Sequence, residues 1–326
     1  MNKDNKLKVG LVGIGSMGGA HYDCYKNVTD AKVVAVCDIR PDVIAKKTDG
    51  DNITSYTSLS DMITKEELDI IDICTPSYLH TDMAIKCLDA GFNVLCEKPM
   101  ALNEDDCRQI ISHAKASGKK FMTAHVVRFM APYIYLAEAI KNNAYGKLVN
   151  LDLNRISTIP TWSSNDWMRN EELSGGVCLD LAVHDIDFIS SVLGTPDEIS
   201  SFYRPITDNS SFIKYTMLYG DVPVTGQATW YNADIPFSAE YLAVFENGYV
   251  ELKGSKLTAN NKEIPLQARK TTFTGLNISG DNAYTDEIAY FADCVKNDKP
   301  IEYVTKESSA DSVRLARRIL RSSKIL

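Results

Sequence analysis

The sequence predicts an α/β protein in which a doubly wound parallel sheet is followed by an α+β domain with a large open, mostly antiparallel sheet. Over the first 125 residues, short apolar runs alternate with helical stretches. After about residue 145, runs of alternating apolar and polar residues follow one another with short turns between them. Strands that are buried on both faces and separated by helices are typical of a parallel sheet, and alternating runs are typical of an antiparallel sheet with one buried face.

The elements of the first part can be assigned in order along the chain. Apolar runs at 7–12, 32–37, 70–74, 93–96 and 121–124 predict five strands. The i, i+3, i+4 spacing of Ala84, Cys87 and Leu88 predicts a helix that stops at Gly91. A second helix is predicted over 103–117, with Asn103 as its N-cap and a glycine directly after its end.

The second part contains a series of strands and then two helices. Strands are predicted at 148–156, 198–204, 212–219, 222–231, 240–246 and 249–252. Apolar stripes through Ile288 and Phe291, and through Val313 and Leu320, predict the two closing helices. The change of pattern predicts two domains, at 1–125 and 126–326.

Composition excludes several classes of function. The chain has 326 residues, of which 44% are hydrophobic and 24% charged, as is ordinary for a globular protein of two domains. Its formal net charge of -8 offers no field to attract a phosphate backbone, so we expect no nucleic-acid partner. The polar N-terminus has no apolar signal core, and no apolar run approaches the roughly 18 residues of a membrane span. We expect a cytoplasmic protein with no membrane contact, whose eight cysteines are reduced and packed as small hydrophobes.

A glycine-rich turn after the first strand predicts a dinucleotide site. The segment Gly13-Ile14-Gly15-Ser16-Met17-Gly18 follows a strand, opens a helix, and precedes Asp38 at the end of the second strand by about 20 residues. This arrangement is the fingerprint of a Rossmann domain, in which the pyrophosphate lies at the helix N-terminus and the acid binds the ribose. The alternative is a tight turn that binds no ligand.

The residues after the second strand bear on the choice of cofactor. The Asp38 carboxylate would accept hydrogen bonds from two ribose hydroxyls and would repel a 2′-phosphate, which favours NAD over NADP. Arg40 weakens this argument, because an arginine at that position could bind the phosphate or stack on adenine.

Further segments carry a family resemblance. They are Thr75-Pro76-Ser77-Tyr78-Leu79-His80, Glu97-Lys98-Pro99, residues 175–185 (GGVCLDLAVHD) and Asn282-Ala283-Tyr284. Together with the glycine motif, and in the same order along the chain, they resemble the glucose–fructose oxidoreductase/inositol dehydrogenase family of sugar and polyol oxidoreductases. The resemblance implies an NAD(P)-dependent dehydrogenase that acts on CH–OH groups and forms dimers or tetramers. It also implies catalytic roles for a lysine, an aspartate and a histidine, which are present here as Lys98, Asp180 and His184.

The chemistry of hydride transfer agrees with this trio. Oxidation of a hydroxyl needs a base and a positive group that stabilises the developing alkoxide, tasks that suit His184 and Lys98. Asp180 precedes His184 by four residues, so on a helix both would lie on one face. Three alternatives remain open: Lys98 as a surface lysine, His184 as a core histidine or cap, and a metal bound by Asp180, His184 and Asp185. No further ligand of matching spacing is visible, and we expect no metal.

The remaining candidates are assigned by their positions at strand ends and by the resemblance. The residues predicted to bind the cofactor are Gly13, Ile14, Gly15, Ser16, Met17, Asp38, Ile39, Cys74, Thr75, Pro76, Leu79, His80, Glu97, Lys98 and Arg128. The residues predicted to bind the substrate are Lys98, Arg128, Trp162, Trp167, Asp180, His184 and Tyr284. For the two tryptophans, packing between domains is an equal alternative. His21 and His113 have no supporting pattern, and we expect ordinary helix residues.

The predicted function is oxidation or reduction of a secondary hydroxyl of a sugar, inositol or glycoside, with NAD as cofactor. One alternative is a glycoside hydrolase that uses a recycled NAD, and another is an NAD-binding sensor or partner subunit without catalysis. Apolar residues at 228–231 and 241–245 lie in the predicted open sheet, which favours a homodimer or homotetramer formed through that sheet.

Overall fold

The computed structural model describes residues 6–161, 163–206, 210–265, 271–273, 276–278 and 283–326. Within these ranges the chain forms two compact units, which are described separately. The first comprises residues 1–126 and 270–309, and the second comprises residues 127–269 and 310–326.

The first unit is built on a parallel sheet of six strands among its described residues, in the order β3-β2-β1-β4-β5-β6. The strands are β1 (Leu7–Val12), β2 (Ala31–Cys37), β3 (Thr54–Tyr56), β4 (Ile70–Ile73), β5 (Asn93–Glu97) and β6 (Phe121–Ala124). The order changes direction between β1 and β4, and ligands of such sheets bind beyond the carboxyl ends of the strands at that point. The parallel Rossmann sheet predicted from the sequence is therefore confirmed.

Helices connect these strands, and their ends follow local sequence. They are α1 (Ser16–Tyr25), α2 (Pro41–Lys47), α3 (Leu59–Lys65), α4 (His80–Asp89) and α5 (Glu104–Ser117). In α5 the Asn103 side chain accepts the Asp106 N–H at 2.9 Å, and Gly118 closes the helix with a left-handed φ of 66°. Acidic residues occupy its first turn, where their negative charges interact favourably with the positive end of the helix dipole.

The turn from β1 to α1 brings two backbone segments into contact. Gly13 has a φ of +82°, and a Cβ atom there would lie 2.7 Å from the Cys74 carbonyl oxygen. A Cβ atom on Gly18 would overlap the carbonyl group of Gly13. Neither position can hold a side chain, so the sequence of the turn follows from its geometry.

The second unit begins with α6 (Ala131–Lys141) and contains a mixed sheet. Its described strands are β7 (Leu148–Thr158), β8 (Glu198–Pro205), β9 (Ser211–Tyr219), β10 (Val222–Tyr231), β11 (Ser238–Phe245), β12 (Gly248–Lys253), β13 (Lys256–Ala259), β14 (Lys262–Glu263) and β17 (Ser323–Ile325). The order is β14-β13-β12-β11-β7-β10-β9-β8-β17. The pairs β7–β10 and β8–β17 are parallel and the other pairs are antiparallel, as a mostly antiparallel sheet requires.

The remaining elements complete both units. A short pair of strands, β15 (Thr271–Phe273) and β16 (Leu276–Ile278), belongs to the first unit, as does α9 (Ala283–Lys296). The second unit contains α7 (Glu171–Ser174), a π-helical segment (Cys178–Ala182) and α8 (Val183–Leu193), and α10 (Lys306–Ser322) begins in the first unit and continues into the second. Within the described residues, no helix has both the length and the apolar character needed to cross a bilayer.

The C-terminal part of the chain corrects the predicted domain division. The sequence assigned all of 126–326 to the second domain, but residues 283–309 belong to the first unit. There α9 packs against α1, with Tyr284 and His21 ring centroids 6.2 Å apart, and Lys296 pairs with Asp30. The apolar stripe of α9 was visible in the sequence, but a stripe does not specify which surface it packs against.

The sheet of the second unit bears on the expectation of self-association. Most of the apolar residues that favoured an oligomer face the interior: Ala228, Trp230, Tyr241, Ala243 and Phe245 are at most 3% exposed. Tyr241 packs against Tyr133 of α6 within the same unit, with ring centroids 5.4 Å apart. Tyr231 and Leu242 remain exposed, at 40% and 37%. The apolar argument for a homodimer or homotetramer is therefore weakened, and the oligomeric state stays a prediction.

Substitution of Gly18 tests the close approach in the β1–α1 turn. We expect Gly18→Ala to lower the free energy of unfolding by about 2–3 kcal/mol, because the new methyl group meets backbone that no rotamer change can move. Gly19→Ala is the matched control in the same helix, since its Cβ would approach nothing closer than Lys47 Cε at 3.6 Å. Alanine favours a helix over glycine by about 0.5–1 kcal/mol, so this variant should be neutral or stabilised. Equal losses for both variants in urea unfolding would contradict this account of the turn.

Candidate active site

The carboxyl ends of four parallel strands carry most of the residues predicted to bind the cofactor. Strands β1, β2, β4 and β5 all end at the same edge of the sheet, directly before these residues. Those that lie there are Gly13, Ile14, Gly15, Ser16, Met17, Asp38, Ile39, Cys74, Thr75, Pro76, Leu79, His80, Glu97 and Lys98. Arg128 lies in the second unit and is described with it below.

The N-terminus of α1 forms a cradle suited to a phosphate group. Gly15 is the N-cap, with no side chain capping the helix, so the first-turn N–H groups point outward. Within 4 Å, a Cβ atom on Gly15 would meet only Arg40 Nη2, at 3.6 Å. Open space above outward-facing N–H groups fits the pyrophosphate of a dinucleotide.

Asp38 is held at the end of β2 by a set of hydrogen bonds. Its Oδ1 accepts from the N–H and Nε of Arg40 at 3.0 and 2.9 Å, and its Oδ2 accepts from the Ile14 N–H and Arg40 Nη2, both at 2.9 Å. Burial acts to raise the pKa of Asp38, but the Arg40 guanidinium and the Ile14 N–H outweigh it and lower the pKa. A carboxylate has about four lone-pair sites, and all are used here. Ribose hydroxyls can therefore bind Asp38 only if Arg40 gives up some of these bonds.

His80 connects the loop after β4 to the turn after β5. Its ring is 1% exposed, with Nδ1 2.8 Å from the Pro99 carbonyl oxygen and Nε2 2.9 Å from the Thr75 carbonyl oxygen. Burial lowers the pKa of His80, although both carbonyl groups favour the protonated ring. A neutral ring donates to one carbonyl group and a protonated ring to both. His80 thus links the backbones of two segments that are predicted to bind the cofactor.

The turn after β5 presents Lys98 at the same edge of the sheet. Glu97 is 6% exposed, and its Oε2 accepts the Lys98 backbone N–H at 3.0 Å. Lys98 is half-buried, and its peptide bond to Pro99 is cis. The catalytic role assigned to Lys98 stays a prediction.

His21 is a residue whose importance the sequence analysis missed. The expectation of an ordinary helix residue is wrong, because the side chain is fully buried between two carboxylates. Its Nδ1 lies 2.9 Å from Asp72 Oδ2 and its Nε2 lies 3.2 Å from Glu97 Oε1. Two signals could have found it: His21 follows Gly18 by one helical turn on the face that packs on the sheet, and Asp72 is a charge inside an apolar strand, which needs a partner.

Three potential metal ligands meet in this buried cluster. Side-chain atoms of His21, Asp72 and Cys74 lie within 4.8 Å of one another. They already satisfy one another, since Cys74 Sγ donates to Asp72 at 3.5 Å and lies 3.4 Å from His21 Nδ1. Burial raises the pKa of the Cys74 thiol, and a protonated thiol is a poor metal ligand. The contacts of the cluster are therefore those of a hydrogen-bonded network.

Asp180 and His184 lie on successive helical segments of the second unit. Asp180 belongs to the π-helical segment and is 8% exposed, and His184 is half-buried in the first turn of α8. The sequence argument assumed one regular α-helix through both residues, and the structure replaces its beginning with wider π turns. π-helical turns occur often at functional sites. The catalytic roles of the two residues stay predictions.

Two buried ion pairs hold α8 within the second unit. Arg155 of β7 donates to both oxygens of Asp185, at 2.6 and 3.1 Å. Arg128 donates to both oxygens of Asp187, at 2.6 and 2.7 Å, and Ser312 also donates to Asp187. All four charged side chains are at most 5% exposed.

These pairs bear on two expectations from the sequence. The Asp185 charge is neutralised by Arg155, which argues against a metal bound by Asp180, His184 and Asp185. Since Arg128 is held by Asp187, any contact with cofactor or substrate would come in addition to that pair, and this role stays a prediction.

The other predicted substrate residues are distributed over both units. Trp162 lies outside the described residues. Trp167 is half-buried in a 3₁₀ segment (Ser164–Arg169) of the second unit, and Tyr284 belongs to α9 of the first. Burial raises the pKa of Tyr284 to about 12. Substrate contact by these residues stays a prediction.

Comparison with known proteins places the chain in a family. The model of an oxidoreductase family with an NAD-binding Rossmann fold matches residues 7–125, and the model of the GFO/IDH/MocA C-terminal domain matches residues 133–258. The crystal structure of myo-inositol 2-dehydrogenase from Lactobacillus plantarum shares the fold, with a TM-score of 0.80 and 24% identity over 98% of this chain and 97% of that one.

Two curated relatives show the range of activities among similar proteins. Myo-inositol 2-dehydrogenase of Thermotoga maritima is 28% identical over 189 residues, which cover 58% of this chain and 55% of that protein. The 2,7-anhydro-N-acetylneuraminate hydratase of Mediterraneibacter gnavus is 30% identical over 192 residues, which cover 58% of this chain and 50% of that protein. The chain thus spans about half the length of these relatives.

The matches to both family domains agree with the parallel sheet, the phosphate cradle and the mixed sheet described above. The chain belongs to the GFO/IDH/MocA family of oxidoreductases, and its first unit carries an NAD-binding Rossmann domain.

Proposed function

We propose that the protein is an NAD-dependent dehydrogenase that transfers hydride between nicotinamide and a secondary hydroxyl of a sugar, inositol or glycoside. The observation that carries the proposal is the Glu97–Lys98 turn. It presents a half-buried lysine at the same sheet edge as the uncapped N-terminus of α1. A lysine at the sheet edge that also carries a dinucleotide cradle suits a reaction in which an alkoxide develops.

The proposed roles follow from the charge changes of alcohol oxidation. His184 removes the hydroxyl proton as a general base, and Lys98 stabilises the negative charge that develops on the oxygen. Asp180 orients the imidazole and stabilises its protonated form. Bound NAD supplies the hydride acceptor. The ion pairs of Arg128 and Arg155 support this division of tasks, because they fix the helix that carries His184 without using its imidazole.

The substrate class rests on the relatives and on chemistry. The relative from Thermotoga maritima is named for oxidation of an inositol, a ring that carries only secondary hydroxyls. Aromatic faces bind the apolar faces of such rings, which is the role proposed for Trp162, Trp167 and Tyr284. Arg128 is proposed to stand near the reacting groups while it remains paired with Asp187.

A second candidate function uses the same site with a recycled cofactor. It is favoured by the relative that is named a hydratase, because adding water causes no net oxidation. Transient oxidation of a sugar and its reversal would then assist cleavage of a glycosidic bond. This function predicts product without accumulation of NADH, whereas a dehydrogenase accumulates NADH.

Removal of the proposed base or cation should abolish turnover. We expect Lys98→Met and His184→Ala each to lower kcat by about 10²–10⁴-fold, since each removes a group that acts in the transition state. The measurement is NADH release over a panel of inositols, aldoses and glycosides, with NADH affinity measured separately by fluorescence. The matched controls are Lys119→Met and His113→Ala, because neither residue lies at the carboxyl ends of the strands. Both control variants should retain activity. Wild-type rates in both test variants would refute the assigned roles.

Cofactor choice should depend on the Asp38–Arg40 pair. In Asp38→Ala the Arg40 guanidinium loses its partner and can bind a 2′-phosphate, so NADH affinity should fall and NADPH affinity should rise, each by about tenfold. In Arg40→Ala the Asp38 carboxylate keeps the Ile14 N–H and gains free acceptor sites, so NADH affinity should be kept or improved. Titration of both variants with both cofactors measures this. A preference for NADPH in the wild-type protein would contradict the NAD assignment.

A further inference from the structure

A line of buried charges runs beneath the candidate cofactor site. It consists of Asp72 on β4, His21 on α1 and Glu97 at the end of β5. Asp72 and His21 are fully buried and Glu97 is 6% exposed. The imidazole lies between the two carboxylates, 2.9 Å from one and 3.2 Å from the other. Three separate elements of the first unit are therefore joined by one side chain.

The positions of the hydrogen-bonding atoms indicate whether the His21 ring is neutral or protonated. An ionised carboxylate only accepts hydrogen bonds, and a neutral imidazole donates from one nitrogen only. Both ring nitrogens of His21 face carboxylate oxygens, so a neutral ring would set a lone pair against a carboxylate. Nδ1 makes a hydrogen bond with Asp72, whereas Nε2 reaches Glu97 as a close charge contact without hydrogen-bond geometry. An imidazolium between two carboxylates is the form that both contacts favour.

The surroundings of His21 agree with a protonated ring. Burial acts to lower the pKa of His21, but the charge of the Asp72 carboxylate and its hydrogen bond to Nδ1 outweigh burial and raise the pKa above its ordinary value. Burial acts to raise the pKa of Glu97, but His21 and Lys98 outweigh it and lower the pKa. The other titratable groups that face the line are Tyr25 of α1, Cys96 of β5 and Tyr284 of α9.

The line ends at the proposed catalytic lysine. While Glu97 Oε1 faces His21, Glu97 Oε2 accepts the Lys98 backbone N–H at 3.0 Å. We propose that His21 is a positioning residue that holds Glu97, and through Glu97 the turn that carries Lys98, in register with helix α1. This inference rests on the proposed function, and it couples the helix that begins at the phosphate cradle to the group that acts on the substrate.

A structural role alone would not require this chemistry. Apolar side chains of similar size would fill the same space, often with equal or greater stability, since burying charges is costly. The line keeps three titratable side chains instead, and its last member accepts the backbone N–H of Lys98. A misplacement of about 1 Å near reacting groups can lower the rate by about 10²-fold. Precise placement of Lys98 would therefore affect the rate of the proposed reaction.

A double-mutant cycle between His21 and Glu97 tests the positioning role. We expect His21→Gln and Glu97→Gln each to lower kcat by at least about tenfold, with His21→Gln changing the Kd for NADH by less than about threefold. Because His21 acts through Glu97, the double variant should lose no more than about the larger single loss. His113→Gln, at a histidine paired with exposed Asp89, is the matched control and should keep kcat within about twofold. Multiplicative losses in the double variant would overturn the proposal.

Two further measurements do not depend on turnover. Nitrogen NMR of histidine-labelled protein at pH 6.5, where an ordinary imidazole is about half protonated, should show both ring nitrogens of His21 protonated, and a singly protonated ring would overturn the proposal. The methylation rate of Lys98, followed by mass spectrometry, should change by more than about threefold in His21→Gln and stay unchanged in His113→Gln. If the wild-type protein oxidises no polyol, the proposed function fails, and the methylation rate still decides whether His21 positions Lys98.

The pH dependence of stability gives a signature of the ion pair. The raised pKa of His21 stabilises the fold below its ordinary value of about 6.5, and this contribution is lost as the pH rises through the raised value. The lowered pKa of Glu97 contributes above its ordinary value of 4.5. The difference in Tm between the wild type and His21→Gln should therefore be largest between about pH 5 and 6.5 and shrink at higher pH. A difference that grows with pH would overturn the proposal.

Discussion

The Asp72 carboxylate is a charge at the centre of a parallel sheet, and the first unit is arranged around the need to pair it. Asp72 lies in β4, between β1 and β5, and is fully buried. An unpaired charge there would cost several kcal/mol, and removing the partner from such a pair typically costs about 3–5 kcal/mol. His21 supplies the partner from α1 and extends the charge pairing to Glu97. The same side chain therefore fixes the helix at the phosphate cradle and the turn that carries Lys98.

The second unit uses the same principle with arginine. Two bidentate pairs, Arg155 with Asp185 and Arg128 with Asp187, attach α8 to the sheet and to the segment that follows β6. The planar guanidinium matches a carboxylate with two parallel hydrogen bonds, which sets direction as well as distance. Sequence reasoning assigned Arg128 to the cofactor and substrate from the family resemblance, and it did not predict the ion pairs of Arg128 and Arg155. The carboxylates that bind them lie 30 and 59 residues away along the chain, so only the fold reveals the pairing.

Local signals predicted local structure well. The glycine turn, the strands on either side of it and the capped helix α5 all follow from residues within a few positions of each element. The three-residue strand β3 was missed, because Thr54-Ser55-Tyr56 is short and largely exposed and has no apolar run. Long-range packing was the source of the other errors. The return of α9 to the first unit and the burial of Trp230 and Tyr241 depend on which surfaces meet, and periodicity does not encode that choice.

The residues of the candidate site also fall into two groups, those that the sequence predicted and those that only the fold revealed. Residues at strand ends were predicted from the geometry common to all open parallel sheets, whereas His21 required a link between a helix residue and a charge 51 positions later. An aspartate inside an apolar strand was the available clue, since such a charge requires a partner.

The fate of the transferred hydrogen tests the central claim most directly. Each inositol, aldose and glycoside of the panel would be prepared with deuterium on its carbinol carbons, and the nicotinamide and sugar products would be analysed by mass spectrometry. A dehydrogenase transfers one deuterium to the nicotinamide ring and accumulates labelled NADH together with a ketone. Deuterium that returns to the sugar without accumulation of NADH, or NADH that carries no label, would contradict the account.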